Sequence, residues 1–183
     1  MRGRRSHRGH EPAGRPPALK AFLRRGRDLV RRLRSVERPT IAAVNGAAYG
    51  GGLELLLACD IAIAARGARI GDRHVAVGQV PGWGSSVMLP AAVGPALARR
   101  LLITGASWSA DEAARRGLVA EVADDDRLDA RVAEVARSIE ALDGAAVTRM
   151  LKVARPPDDE RAWTREADTL DAHIDDQIAR RTR

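Results

Sequence analysis

The sequence predicts an α/β fold with a C-terminal all-helical region. Short apolar strand-like runs alternate with helix-period segments as far as about residue 122. A three-glycine turn, Gly50 to Gly52, leads from the first such run into an apolar helical one. From Leu128 onward every apolar stripe has helical spacing. These boundaries divide the chain into a disordered basic tail (1–18), an α/β core (19–125) and a helical region (126–183).

Residues 1–18 are rich in Arg, Gly and Pro without apolar periodicity, which predicts disorder. Phe22, Leu23, Leu29, Val30 and Leu33 fit an amphipathic helix that ends before Pro39. TIAAVNG (40–46) reads as a buried strand, GAAYGGG (46–52) as a glycine-rich turn and LELLLAC (53–59) as a buried helical run. DIAIAA (60–65) is a second strand and ARIG (68–71) a short third. A loop covers His74–Gly84, followed by SSVMLPAAVG and a helix near Pro95–Thr104. Ser109 before Asp111 and Glu112 is an N-cap followed by acidic first-turn residues, and LVAEV (118–122) is a strand. Three helical stripes follow. Leu128, Val132, Val135, Ala136 and Ile139 form the first. Val147, Met150, Leu151 and Ala154, ended by Pro156 and Pro157, form the second. Trp163, Leu170, Ile174 and Ile178 form the last, and no later element is available to cover it. Such a stripe packs on the domain body or on a neighbour, and we expect an oligomer.

Composition narrows the function. At 183 residues the chain can bury a core without disulfides or metal, and its single Cys59 excludes a disulfide framework and a cysteine zinc site. No apolar run is long enough to span a membrane. The net charge of +7 is uneven: residues 1–38 hold 13 Lys/Arg against 3 Asp/Glu, whereas 39–183 hold 18 against 21. The body therefore lacks the basic surface of a nucleic-acid binder, and aromatic residues are 3% of the chain. RNA or membrane binding by the N-terminal segment is the weakest functional reading.

Three features can carry chemistry. The Gly50-Gly51-Gly52 turn before a helix lets a backbone N–H approach a phosphate or a developing oxyanion, or it is a tight turn needing positive φ. Glu54 is the one charge between Gly46 and Asp60, either a buried acid/base carboxylate or the polar position of an amphipathic helix. His74 in IGDRHVAVGQVPGWG is an acid/base candidate or a structural loop histidine. Asp72 and Arg73 beside it read as a local ion pair, and Pro81–Gly84 as a turn with a weak anion-site signal.

In order and spacing, RPTIAAVNGAAYGGGLELLLACDIAIAA, ARIG, VPGWG, LPAAVGPALARRLLITG and SADEAARRGLVAEV resemble the crotonase (enoyl-CoA hydratase/isomerase) family over roughly residues 19–155. The resemblance implies a crotonase-like spiral of β-β-α turns with a helical C-terminal region used in assembly as a homotrimer or dimer of trimers. It implies an acyl-CoA thioester substrate and no cofactor, since coenzyme A is part of the substrate, in a cytoplasmic enzyme. By the same resemblance Gly51 donates its N–H to the thioester oxygen, Glu54 holds and activates water, and Gly82 brings a helix N-terminus near that water. A second Glu normally stands where this chain has His74. The family carries a long segment before the strand at residue 40, where this chain has 38 residues before Pro39. The resemblance therefore implies a missing second oxyanion donor, missing CoA-binding surface, poor turnover, and uncovered edges or faces on TIAAVNG and DIAIAA.

The expected reaction is reversible hydration of a 2-trans-enoyl-CoA to a 3-hydroxyacyl-CoA, with Glu54 and His74 as acid/base pair and Gly51 at the oxyanion. The alternatives are another enolate reaction, isomerisation or decarboxylation, and a catalytically dead subunit.

Overall fold

A computed structural model describes residues 16–181. The predicted tail therefore lies outside the described residues, except that helix α1 (Pro16–Ser35) begins inside it. Strand β1 (Ile41–Val44), strand β2 (Ala47–Tyr49) and helix α2 (Gly51–Ala58) make one β-β-α turn. Strands β3 (Ile61–Ala65) and β4 (Arg69–Gly71), a 3-10 turn (Val75–Val77) and helix α3 (Ser85–Val93) make a second. The turns stack strand on strand, with Ile41 paired to Ile61 and Ala47 to Arg69, both in parallel.

Helix α4 (Pro95–Thr104), strand β5 (Trp108–Ser109), helix α5 (Ala110–Arg115) and strand β6 (Glu121–Ala123) complete the body. One sheet has the order β1-β3-β6, all parallel, and the other the order β2-β4-β5 with β5 antiparallel. Leu53, Leu56, Ile70, Leu89, Leu101 and Trp108 fill the space between these layers. Ser109 caps α5 as expected, in a reciprocal pair with Glu112.

Several expectations change. GAAYGGG is not one turn: three of its residues form β2 because their backbone groups pair with β4. Helix α2 starts two residues early, at Gly51, and the last strand of the body shifts to 121–123. DIAIAA has no open edge, because β3 lies between β1 and β6. SSVMLPAAVG folds as helix despite Pro90. Phe22 and Leu29 are exposed although Val30 on the same helix is fully buried.

The helical region consists of α6 (Leu128–Glu140), α7 (Gly144–Ala154) and α8 (Glu160–Arg181). The α8 stripe is covered within the chain: Trp163, Leu170 and Ile174 are buried, Trp163 against Val30, Ala58 and Met88. That stripe therefore carries no argument for an oligomer. The N-terminal positive charge also has an internal partner. Lys20 pairs with Asp175 at 2.7 Å and Arg31 with Glu160, docking α1 along α8, and Arg34 pairs at 3.0 Å with Asp158 just before that helix. These three basic residues are engaged by acidic ones of the same chain.

The end of α7 is tied to the body at one point. Arg155 donates from Nε and Nη2 to the Asp60 carboxylate at 2.6 and 2.8 Å and from Nη1 to the Val36 carbonyl at 2.6 Å. Asp60 also accepts from the Thr40 N–H and hydroxyl, both at 2.8 Å. Burial pushes the Asp60 carboxyl up, but Arg155 and Thr40 together hold it below the ordinary range. A bidentate, partly buried pair of this kind is worth more than an exposed one. Arg155→Ala should lower unfolding free energy by about 2 kcal/mol in urea titration, whereas removing the exposed Lys152–Glu37 pair should change it by less than about 0.5.

Candidate active site

The candidate site forms where α2, the loop after β4 and α3 meet. Gly50 takes φ +51°, so a tight turn is needed there, while Gly51 and Gly52 are the first residues of α2. The Gly51 N–H consequently belongs to the first helical turn, whose donors have no partner inside the helix.

Glu54, one turn on, is 1% exposed. Its Oε1 accepts from the backbone N–H of Trp83 at 2.8 Å and of Ser85 at 3.2 Å, while Oε2 has no hydrogen-bond partner among the described residues. Burial raises the Glu54 carboxyl above the ordinary range, partly opposed by the charge of His74 and the Trp83 N–H.

His74 lies across from Gly50, where an added Cβ would sit 3.4 Å from its Nε2. The ring is held from the other side: both oxygens of Asp72, itself 1% exposed, lie 3.0 Å from Nδ1, and one accepts the His74 N–H at 3.2 Å. Asp72 thus pairs with His74 rather than with Arg73, whose guanidinium stacks on Tyr49 5.2 Å from the ring centre. Burial lowers the imidazole pKa, but the Asp72 bond and charge, with those of Glu54 and Glu166, outweigh it and hold it above the ordinary value.

Glu166 was not legible as a site residue. Its Oε1 accepts from Gly84 N–H at 2.7 Å, and its Oε2 accepts from Ser86 N–H at 2.9 Å and from the Ser86 hydroxyl. Burial raises its carboxyl, against the pull of the Ser86 and Gly84 bonds. The signal was a carboxylate at helical spacing in the stripe of Trp163 and Leu170. Gly82 is buried with Leu170 against it, where a Cβ would lie 2.2 Å from Cδ2. The α3 N-terminus that Gly82 leads into is occupied by the chain's own carboxylates. Trp83, read as part of a turn, places its indole over Gly51. Among the described residues no group of three or more His, Cys, Asp or Glu is arranged to hold a metal ion, and no helix is long and apolar enough to cross a membrane.

The enoyl-CoA hydratase/isomerase family model matches residues 14–175. The chain belongs to this family. It is 41% identical over 149 residues to a crotonyl-CoA hydratase of Syntrophomonas wolfei, covering 79% of this chain and 57% of that protein. It is 43% identical over 114 residues to a short-chain-enoyl-CoA hydratase of Clostridium acetobutylicum, covering 62% and 44%. A crystal structure of an enoyl-CoA hydratase from Mycobacterium avium superposes with a TM-score of 0.72 at 42% identity, over 78% of this chain and 65% of that one. One from Bacillus anthracis gives 0.77 at 29% identity, over 88% and 64%. The chain spans about half the length of the curated relatives it matches. The fold expected from the resemblance is the one these structures share.

Two outcomes follow from the geometry. Glu166→Ala leaves two backbone donors of α3 without acceptors and should cost on the order of 2–4 kcal/mol in chemical denaturation. Glu160→Ala, on the exposed face of the same helix, should cost little. Because the folded pKa of His74 is raised, its stabilising contribution is complete below the unfolded value of about 6.5 and is lost as pH rises through the folded value. An NMR titration of His74 should show a midpoint above that value, and Asp72→Asn should bring it down. An unchanged midpoint would refute the pairing.

Proposed function

We propose that this chain carries the acid/base half of an enoyl-CoA hydratase site, adding water reversibly to a 2-trans-enoyl-CoA to give the 3-hydroxyacyl-CoA. The observation that supports this most is the meeting of a buried Glu54 and an Asp72-held His74 beside the first-turn donor Gly51. The names of the relatives point to the same reaction class.

Adding water at C3 of the enoyl thioester moves an electron pair onto the thioester oxygen. The Gly51 N–H, at the positive end of α2, stabilises that charge, and one such donor is worth roughly 2.7–4 kcal/mol. With Asp72 on Nδ1, the His74 tautomer that carries its hydrogen there leaves Nε2 free to accept a proton. Water gives this proton to Nε2 as its oxygen bonds to C3, and the free Oε2 of Glu54 orients the water. The enolate then takes a proton at C2 from the same acid/base pair, which returns the site to its starting state. Asp72 acts through His74 as a positioning residue. Gly82 contributes by placing the α3 N-terminus behind Glu54 rather than by facing the water. The reaction needs no cofactor, since coenzyme A arrives as part of the substrate. By the family resemblance the enzyme assembles as a homotrimer or dimer of trimers in the cytoplasm.

Glu54→Gln should leave the fold and acyl-CoA binding in place and cut hydration of crotonyl-CoA by about 10²-fold or more. His74→Gln should remove the pH–rate limb that the imidazole sets. Normal turnover in Glu54→Gln, or no hydration by the wild-type chain above the solution background, would overturn the reading.

A further inference from the structure

Trp83 stands between two glycines from different helices. On one side its six-membered ring meets Gly51 of α2, where an added Cβ would lie 2.7 Å from Cζ3. On the other side the indole meets Gly26 of α1, where an added Cβ would overlap Cε2, Cζ2 and Nε1. Either Cβ would clash, so the two helices approach the indole this closely only because both positions are glycine. The Phe22 ring, also on α1, packs against the indole with its centre 6.2 Å from that of Trp83. The indole N–H is buried without an acceptor, so shape rather than a hydrogen bond sets the position of the side chain.

The location matters because of what Gly51 does. A carbonyl oxygen within hydrogen-bond reach of the Gly51 N–H has its first acyl carbons within a few bonds of the same residue. Trp83, with Phe22 and Gly26 of α1 packed around it, fills space directly beside Gly51. We propose that Trp83 is a specificity-determining residue that closes the acyl end of the site and restricts the substrate to short-chain acyl thioesters. This rests on the acyl-CoA reading above and adds the substrate class to it. Differences of a few methylenes against a rigid apolar wall are discriminated by tenfold or more, so the effect is measurable.

The test is calorimetric binding of two unreactive thioesters, butyryl-CoA and octanoyl-CoA, to the wild-type chain, Trp83→Ala and Trp83→Leu, each checked for folding by circular dichroism. The wild type should bind butyryl-CoA at least tenfold more tightly than octanoyl-CoA, and Trp83→Ala should abolish or reverse that ratio. Trp83→Leu should give an intermediate ratio, and it decides the matter if the alanine variant does not fold. Equal affinities in the wild type, or a ratio unchanged in a folded variant, would overturn the role of Trp83 and leave the acyl-CoA reading standing. Failure of every folded form to bind either thioester would overturn both.

Discussion

Two carboxylates from distant parts of the chain, Glu54 and Glu166, converge on the four successive backbone N–H groups from Trp83 to Ser86. The start of α3 is a concentration of positive partial charge with no partners inside the helix, and buried donors of that kind must be satisfied. Glu54 binds it from α2 and Glu166 from α8. The same contact fixes α3 against the body, seats the C-terminal helix and places Trp83. A carboxylate in so buried a position costs desolvation, which is why both groups are pushed above their ordinary range. The four donors offset part of that cost and make the arrangement specific to one packing.

The clamp also sets the electrostatics around His74. Glu54, Asp72 and Glu166 all favour the charged imidazole, and Asp72 does so through direct contact. A carboxylate that burial makes harder to ionise and an imidazole that its carboxylate neighbours make easier to protonate stand near each other. Fixing the ring through Nδ1 assigns the open work to Nε2. At position 74, where the family pattern has Glu, this chain has a histidine with its own buried carboxylate partner.

Docking of α1 on α8 gives the uneven charge of the chain a structural role. Lys20, Arg31 and Arg34 face Asp175, Glu160 and Asp158 across more than a hundred residues of sequence. Each surface pair contributes little alone, but together they orient a helix in which, among the described residues, only Val30 is fully buried. That orientation brings Gly26 to the indole of Trp83 and so joins surface charge to the shape of the site.

By itself the sequence determined the alternation of strands and helices, the capping of α5 by Ser109 and the three-glycine approach to α2, and it singled out Glu54 while leaving open whether that carboxylate is buried. These follow from local periodicity, turn chemistry and a charge set in an apolar run. The family resemblance added the spiral of β-β-α turns and the expected roles of Gly51 and Glu54; the expected role of His74 came from imidazole chemistry at a position where the family has Glu. What only the tertiary structure decided is where long-range partners fall. Strand β2 was hidden in a glycine-rich segment because its ladder partner lies about twenty residues away. Asp72 was assigned to its neighbour Arg73 because chain adjacency does not reveal side-chain direction, and the backbone turns Arg73 to Tyr49 and Asp72 to His74. Glu166 and Trp83 could be placed only once α8 and α1 had packed: helical spacing puts Glu166 in a buried stripe but does not say which distant backbone donors it meets, and nothing in the sequence pairs Trp83 with two glycines.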